Sequence, residues 1–205
     1  NYGSAALEEL IRSREETVYR TGLTDNTDFA AVIRRSYPPL QDYVPLESFE
    51  AVLAERKASI YRNYMQIPDY LYTDIKTLTD ELTQDAASDY EKLKMIENYL
   101  QGFVYTLTPA ETEGDAVASF LFDTHEGYCT YFASAFVLMS RAAGIPARYV
   151  NGFCVPLYSE NRREFIVGSD CAHAWPEAYL NGIGWISFEP TAGFSQYHDT
   201  PWQYV

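Results

Sequence analysis

The hydrophobic periodicity of this chain changes character at Gly102. Upstream of it apolar residues recur at helical spacing; downstream they fall mostly into short β-prone runs. Helices first and an antiparallel sheet after them make an α+β domain. In the helical part, Leu7, Leu10, Ile11 and Val18 follow Ser4, a residue type suited to an N-cap, and Tyr37-Pro38-Pro39 breaks the pattern. A further helix is expected from about Leu46 to Tyr64, with Phe49, Val52, Leu53 and Ile60 on one side. Pro68 marks a fresh start, and Ile75, Leu78 and Leu82 continue as a helix. Ser88 and Glu91 have the spacing of a capping box in front of Leu93, Ile96, Tyr99 and Leu100, and Gly102 closes that helix.

Beyond Gly102, Phe103 to Thr108 reads as a strand ending at Pro109, followed by an acidic loop from Glu111 to Asp115. Phe120-Leu121-Phe122 belongs to the strand-like stretch and leads into an apolar helix from Cys129, which Gly144 ends before Ile145-Pro146. Arg148 to Val155 and Phe165 to Val167 form the arms of a hairpin with its tip near residues 159–163. His173 to Leu180 extends the second arm, Asn181-Gly182 turns, and Gly184 to Phe188 is the last strand. Residues 1–63 are read as a helical N-terminal region of unassigned role, separate from residues 64–205.

Composition excludes several classes. The net charge of −14 and the lack of a basic patch argue against nucleic acid and against an anionic membrane surface. An apolar fraction of 47% with 21% charged residues supports a buried core rather than disorder. No apolar run approaches the roughly 18 residues of a membrane span, and the longest, Tyr131 to Met139, contains Ser134. The sequence opens at Asn1 without a signal-like segment, and is read as an excised piece of a longer chain. Three cysteines are too few for a disulfide framework. Cys154 and Cys171 flank the expected hairpin, where strand register decides whether they pair.

Cys129 opens its helix, where the positive end of the dipole favours thiolate. His173 and Glu189 follow it, each at the edge of a β-like stretch. Nucleophile, base and orienting carboxylate in one chain are the parts of a triad. The competing reading is a core cysteine, since cysteine is among the most buried residue types. Tyr128 and Tyr131 flank the thiol and either line a groove or pack in the core. Trp175 shares a strand face with His173, Glu177 has the same alternation, and Arg148 is read as structural. A His/Cys zinc cluster of His125, Cys129, Cys171 and His173 is the rival constellation. Its spacing is poor, since no CxxC pair exists and His198 stands in the C-terminal tail, so no metal ligand and no cofactor are assigned. No calcium-loop signature occurs either.

Three blocks sharpen this reading. Gly127-Tyr128-Cys129 with Phe132-Ala133-Ser134-Ala135-Phe136, continuing through Arg141 to Val150, resembles the nucleophile block of the transglutaminase-like superfamily. His173-Ala174-Trp175-Pro176-Glu177-Ala178-Tyr179 resembles its histidine block, and Gly184 to Thr191 its acid block. Tyr64 to Pro68 and Tyr90 to Leu100 are similar to the lead-in of bacterial membrane-anchored members of the TgpA type. The resemblance covers about Tyr64 to Phe194 and implies a papain-like α+β core in a catalytic domain spanning residues 64–205. It also implies Cys129 as nucleophile, His173 as general base and acid, and Glu189 as orienting acid where most of the superfamily carries Asp.

The implied activity is thiol acyl transfer through a thioester, on glutamine side chains or on peptide and isopeptide bonds, as transglutaminase, deamidase or cysteine protease. Tyr128, Tyr131 and Trp175 are the substrate-side candidates, with a protein or peptide as partner. A non-catalytic peptide- or protein-binding module on the same fold is the alternative. The family also implies a place outside the cytoplasmic membrane, on a membrane-anchored parent chain.

Overall fold

A computed structural model describes residues 46–154, 167–181 and 183–194. Three helices come first: α1 (Leu46–Asn63), α2 (Asp69–Thr83) and α3 (Asp89–Gln101). Their ends sit where the chain's punctuation puts them. Pro68 takes the N-cap position of α2 and Gly102 the C-cap of α3. Ser88 Oγ accepts the Glu91 N–H at 3.2 Å, while Glu91 Oε2 accepts the N–H of Ala87 at 2.9 Å, one residue outside the usual box partner. Leu93, Ile96 and Leu100 then face inward together, as helical spacing requires.

The long apolar helix α5 (Cys129–Ala142) forms the centre of the core. Phe132, Phe136 and Met139 are fully buried, and Ala133 and Ala135 are small enough to bring the helix close to its neighbours. The helix packs on α2 and α3 on one side and on the sheet on the other. Its end at Gly144 is set by a backbone φ of +87°, which glycine adopts without the Cβ penalty of other residues.

The sheet holds three antiparallel strands in the order β3 (Ala147–Phe153), β4 (Ala172–Leu180), β5 (Gly184–Ser187). β4 is central, with Gly152 opposite His173 on one side and Ile186 opposite Ala178 on the other. Ala147, Ala178 and Leu180 are buried against α5. The end of α1 closes onto this core through buried Ile60 and through Tyr64, whose carbonyl accepts the Ala147 N–H at 3.2 Å. The result is the α+β arrangement expected.

Three local expectations change. The Phe103–Thr108 strand shrinks to β1 (Val104–Tyr105), which pairs in parallel with β2 (Glu126–Gly127) apart from the main sheet. Thr106 still donates to Gly127 O at 2.8 Å, but Thr106 Oγ1 then accepts the Thr108 N–H at 3.2 Å, a local bond that competes with a ladder. Phe120-Leu121-Phe122 is helical. Asp115 Oδ1 accepts the N–H groups of Val117 and Ala118 and starts α4 (Ala116–Ser119), which runs on as a π-helical turn over Phe120–Thr124. A short apolar run does not by itself distinguish a strand from a buried helical turn. Of the expected arm Phe165–Val167, only Val167 lies among the described residues; it is outside any strand and precedes a 3₁₀ turn at Ser169–Cys171, after which β4 begins at Ala172. The expected N-terminal helix after Ser4, the hairpin tip, Gly182 and His198 lie outside the described residues.

Candidate active site

Cys129 is the first residue of α5, behind Tyr128 in the N-cap position with extended backbone and no side-chain cap. The helix start therefore has backbone N–H groups free of a capping side chain, with the dipole's positive end at the sulfur. His173 is the second residue of the central strand, and Glu189 lies two residues past β5. The Phe188 N–H donates to Pro176 O at 3.0 Å and carries the strand pairing beyond the end of β5. The three residues meet there. His173 Nε2 and Glu189 Oε2 are 2.6 Å apart, and both side chains are buried.

Glu189 occupies Nε2, which leaves Nδ1 for Cys129; Nδ1 is buried and makes no hydrogen bond of normal geometry among the described residues, so thiol and ring are neighbours poised for one. Burial pushes the Cys129 thiol up, but the neighbouring His173 ring, the Ala174 N–H, the His173 charge and the Thr130 N–H together bring it below its ordinary value. For His173 burial opposes the charge, yet the adjacent Cys129 sulfur, the hydrogen bond to Glu189 and the negative charge on both raise its pKa to about 9. The shifts run in opposite directions, as a thiolate–imidazolium pair requires. Phe194 lies flat on the imidazole, with ring centroids 4.6 Å apart and planes 7° off parallel. The Trp175 ring is near parallel at 6.3 Å, and both faces suit a cationic ring.

Glu189 itself is held on several sides. Its Oε1 accepts the Thr191 N–H at 3.0 Å, its backbone N–H donates to Glu97 Oε1 at 2.8 Å, and its carbonyl accepts from Gln101 Nε2 at 2.8 Å. Neither Glu97, Gln101 nor Phe194 was singled out from the sequence. A signal for Glu97 existed, because it stands four residues after Leu93 in the apolar stripe of α3 and is buried.

The other named residues divide. Tyr131 packs on Phe120 and meets Tyr128 edge-on at 4.9 Å, at the margin of the core. Trp175 stands beside the imidazole, and its ring reaches over Gly152 on the neighbouring strand. Glu177 is engaged by Arg148 Nε at 2.7 Å, so it serves the sheet surface rather than the triad. Arg148 also lies over the Trp185 ring, in keeping with a structural role. Cys154 and Cys171 are free thiols, with the Cys154 N–H on Cys171 O at 2.7 Å. His125 takes a left-handed φ of 53° and rests edge-on against Phe103. Among the described residues no cluster of three His, Cys, Asp or Glu side chains is arranged to hold a metal.

A depressed thiol at a helix N-terminus, beside an imidazole fixed by a buried carboxylate, has the parts needed for covalent acyl transfer. Comparison with known proteins points the same way. The family model of the transglutaminase-like superfamily matches residues 76–190. The chain is 41% identical over 141 residues to the uncharacterized protein YebA of Bacillus subtilis, covering 64% of this chain and 19% of that protein. It is 36% identical over 133 residues to a protein-glutamine gamma-glutamyltransferase of Pseudomonas aeruginosa, covering 64% of this chain and 20% of that protein. The crystal structure of the periplasmic domain of TgpA from Pseudomonas aeruginosa is similar with a TM-score of 0.59 at 34% identity, over 65% of this chain and 47% of that one. The chain thus spans about a fifth of the length of the two curated relatives.

Proposed function

The chain belongs to the transglutaminase-like superfamily, and we propose that it is a thiol acyl-transfer enzyme with Cys129 as nucleophile, His173 as general acid and base, and Glu189 as orienting carboxylate. The observation that carries this reading is the buried 2.6 Å contact between His173 and Glu189 beside a thiol held below its ordinary pKa. Cys129 thiolate attacks the carbonyl carbon of a glutamine carboxamide or a peptide bond. The C–N bond breaks as His173 gives its Nδ1 proton to the leaving ammonia or amine, and a thioester remains. A lysine amine or water, deprotonated by the now neutral imidazole, attacks the thioester and returns the thiolate and the imidazolium.

A protein glutamine as acyl donor is supported by the activity for which the Pseudomonas relative is named. Trp175 and Tyr128 are the substrate-side candidates, with Tyr131 supporting Tyr128 from the core. Residues from about Tyr64 onward carry this chemistry. A place outside the cytoplasmic membrane, within a longer anchored chain, is supported by the periplasmic origin of the TgpA domain and by the small share of the relatives that the chain spans.

The test needs no substrate. The rate of Cys129 alkylation by iodoacetamide, located by peptide mass spectrometry, is measured against pH in the wild type and in His173→Ala. Rapid labelling well below the ordinary thiol range, lost by about tenfold or more in the variant, is expected for an activated pair. Ordinary reactivity in both proteins would overturn the enzyme reading and leave a binding module on this fold.

A further inference from the structure

We infer that Glu97 and Gln101 are positioning residues that grip the backbone of Glu189 at two points and so set the geometry of the His173–Glu189 contact; the inference rests on the triad reading above. Glu189 lies beyond the last residue of β5, Ser187, so no ladder of that strand serves its N–H and C=O. A buried backbone group without a partner is costly, and a loop that must aim a carboxylate within hydrogen-bond reach needs fixed anchors. α3 supplies both. Glu97 Oε1 accepts the Glu189 N–H, and Gln101 Nε2 donates to the Glu189 carbonyl, each at 2.8 Å. The two side chains are one helical turn apart and reach adjacent polar groups of the same residue.

The choice of residue at position 97 is hard to explain by packing. Its neighbours on that stripe, Leu93, Ile96 and Leu100, are apolar and fully buried, and a fourth apolar side chain would serve the core as well. A carboxylate there carries a desolvation cost that is met by specific partners. One oxygen holds Glu189, and the other is paired with Lys94. The partners therefore account for both oxygens, and one of them is the residue that orients the imidazole. The device works at the backbone, so its effect on Cys129 passes through Glu189 and then His173. An acid displaced by about an ångström loses the short contact to Nε2, and with it part of the support for the imidazolium and the thiolate.

The experiment compares the pH midpoint of Cys129 alkylation by iodoacetamide in the wild type, Glu97→Gln, Glu97→Ala and Gln101→Glu, each checked for cooperative thermal unfolding. Glu97→Gln keeps an oxygen that accepts the Glu189 N–H, whereas Glu97→Ala removes it. Gln101→Glu sets an acceptor against the Glu189 carbonyl on a half-buried site where folding is expected to survive. The midpoint should rise by about one unit in Glu97→Ala and Gln101→Glu, slowing labelling at neutral pH about tenfold, and stay near wild type in Glu97→Gln. Should Glu97→Ala fail to fold, Gln101→Met, which removes the donor to the Glu189 carbonyl without adding charge and should shift the midpoint by a similar amount, decides. A depressed wild-type midpoint that neither disruptive variant moves would overturn the grip while leaving the triad intact. A midpoint that Glu97→Gln moves as far as Glu97→Ala would also overturn it, because charge and not the bond would then be the cause. An ordinary midpoint in the wild type overturns both readings.

Discussion

A carboxylate does two things for a neighbouring imidazole: it fixes the tautomer and it stabilises the positive charge. Glu189 is placed to do both for His173, which it meets at 2.6 Å in a buried setting. Glu189→Gln preserves shape and a hydrogen bond but removes the charge. The His173 pKa should fall from about 9 toward its ordinary value of 6.5, visible as the midpoint of its ring resonances by NMR. Acyl-transfer turnover should drop on the order of 10²–10⁴-fold. An unshifted midpoint would mean that Glu189 does not support the imidazolium. At this scale the sequence was informative about residue types and order, because Cys129, His173 and Glu189 are each chemically distinctive where they stand. It was silent about Phe194, an ordinary aromatic whose role comes only from lying flat on the imidazole.

The nucleophile is positioned by an element, the start of α5, and that start depends on close packing behind it. Gly127 is buried, and a Cβ there would stand 2.8 Å from Tyr131 Cγ and 2.9 Å from its Cβ. Those atoms are the root of a packed side chain, held by Phe120 and Tyr128, and not a flexible tip. Gly127→Ala should therefore cost about 1–3 kcal/mol in urea unfolding and slow Cys129 labelling, since the helix start must shift. A variant as stable and as reactive as wild type would show that the helix start tolerates the shift. Long, strongly periodic elements such as α3 and α5 could be read from the chain, for their apolar spacing has one solution. Short ones could not. Val104–Tyr105 and Phe120–Leu121–Phe122 look alike in composition, yet one is a parallel strand pair and the other a π-helical turn, decided by the Asp115 cap and by the burial of Phe120.

For the whole molecule the opposed shifts of Cys129 and His173 have a consequence for stability. His173 has a folded pKa raised above its ordinary value of 6.5 to about 9, so its contribution is full below about 6.5 and is lost as pH rises through about 9. Cys129 is depressed from 9.0, so its contribution is present above that value and is lost as pH falls through the lowered pKa. Above 6.5 and above the lowered Cys129 pKa, and below about 9, the folded pair and the unfolded pair bind nearly the same number of protons, and the two slopes oppose each other. In Cys129→Ser only the imidazole term remains, still raised by Glu189. Its thermal midpoint should fall as pH rises from about 6.5 toward 9, whereas in the wild type this pair adds little slope above the lowered Cys129 pKa; melts at half-unit steps of pH check the difference. Parallel slopes in the two proteins would argue against a coupled thiolate–imidazolium pair.

The sequence by itself determined the α+β order, the limits of the long helices and the three candidate catalytic positions, because periodicity, caps and reactive side chains are local properties of the chain. Tertiary structure decided the rest. Glu177, on the same strand alternation as His173, is engaged by Arg148, while Glu97, far upstream on a helix, reaches Glu189. Cys154 and Cys171 come opposite one another yet remain thiols. Which carboxylate meets which donor depends on strand register and helix docking, and those are fixed only when the core around Phe132 and Phe136 closes.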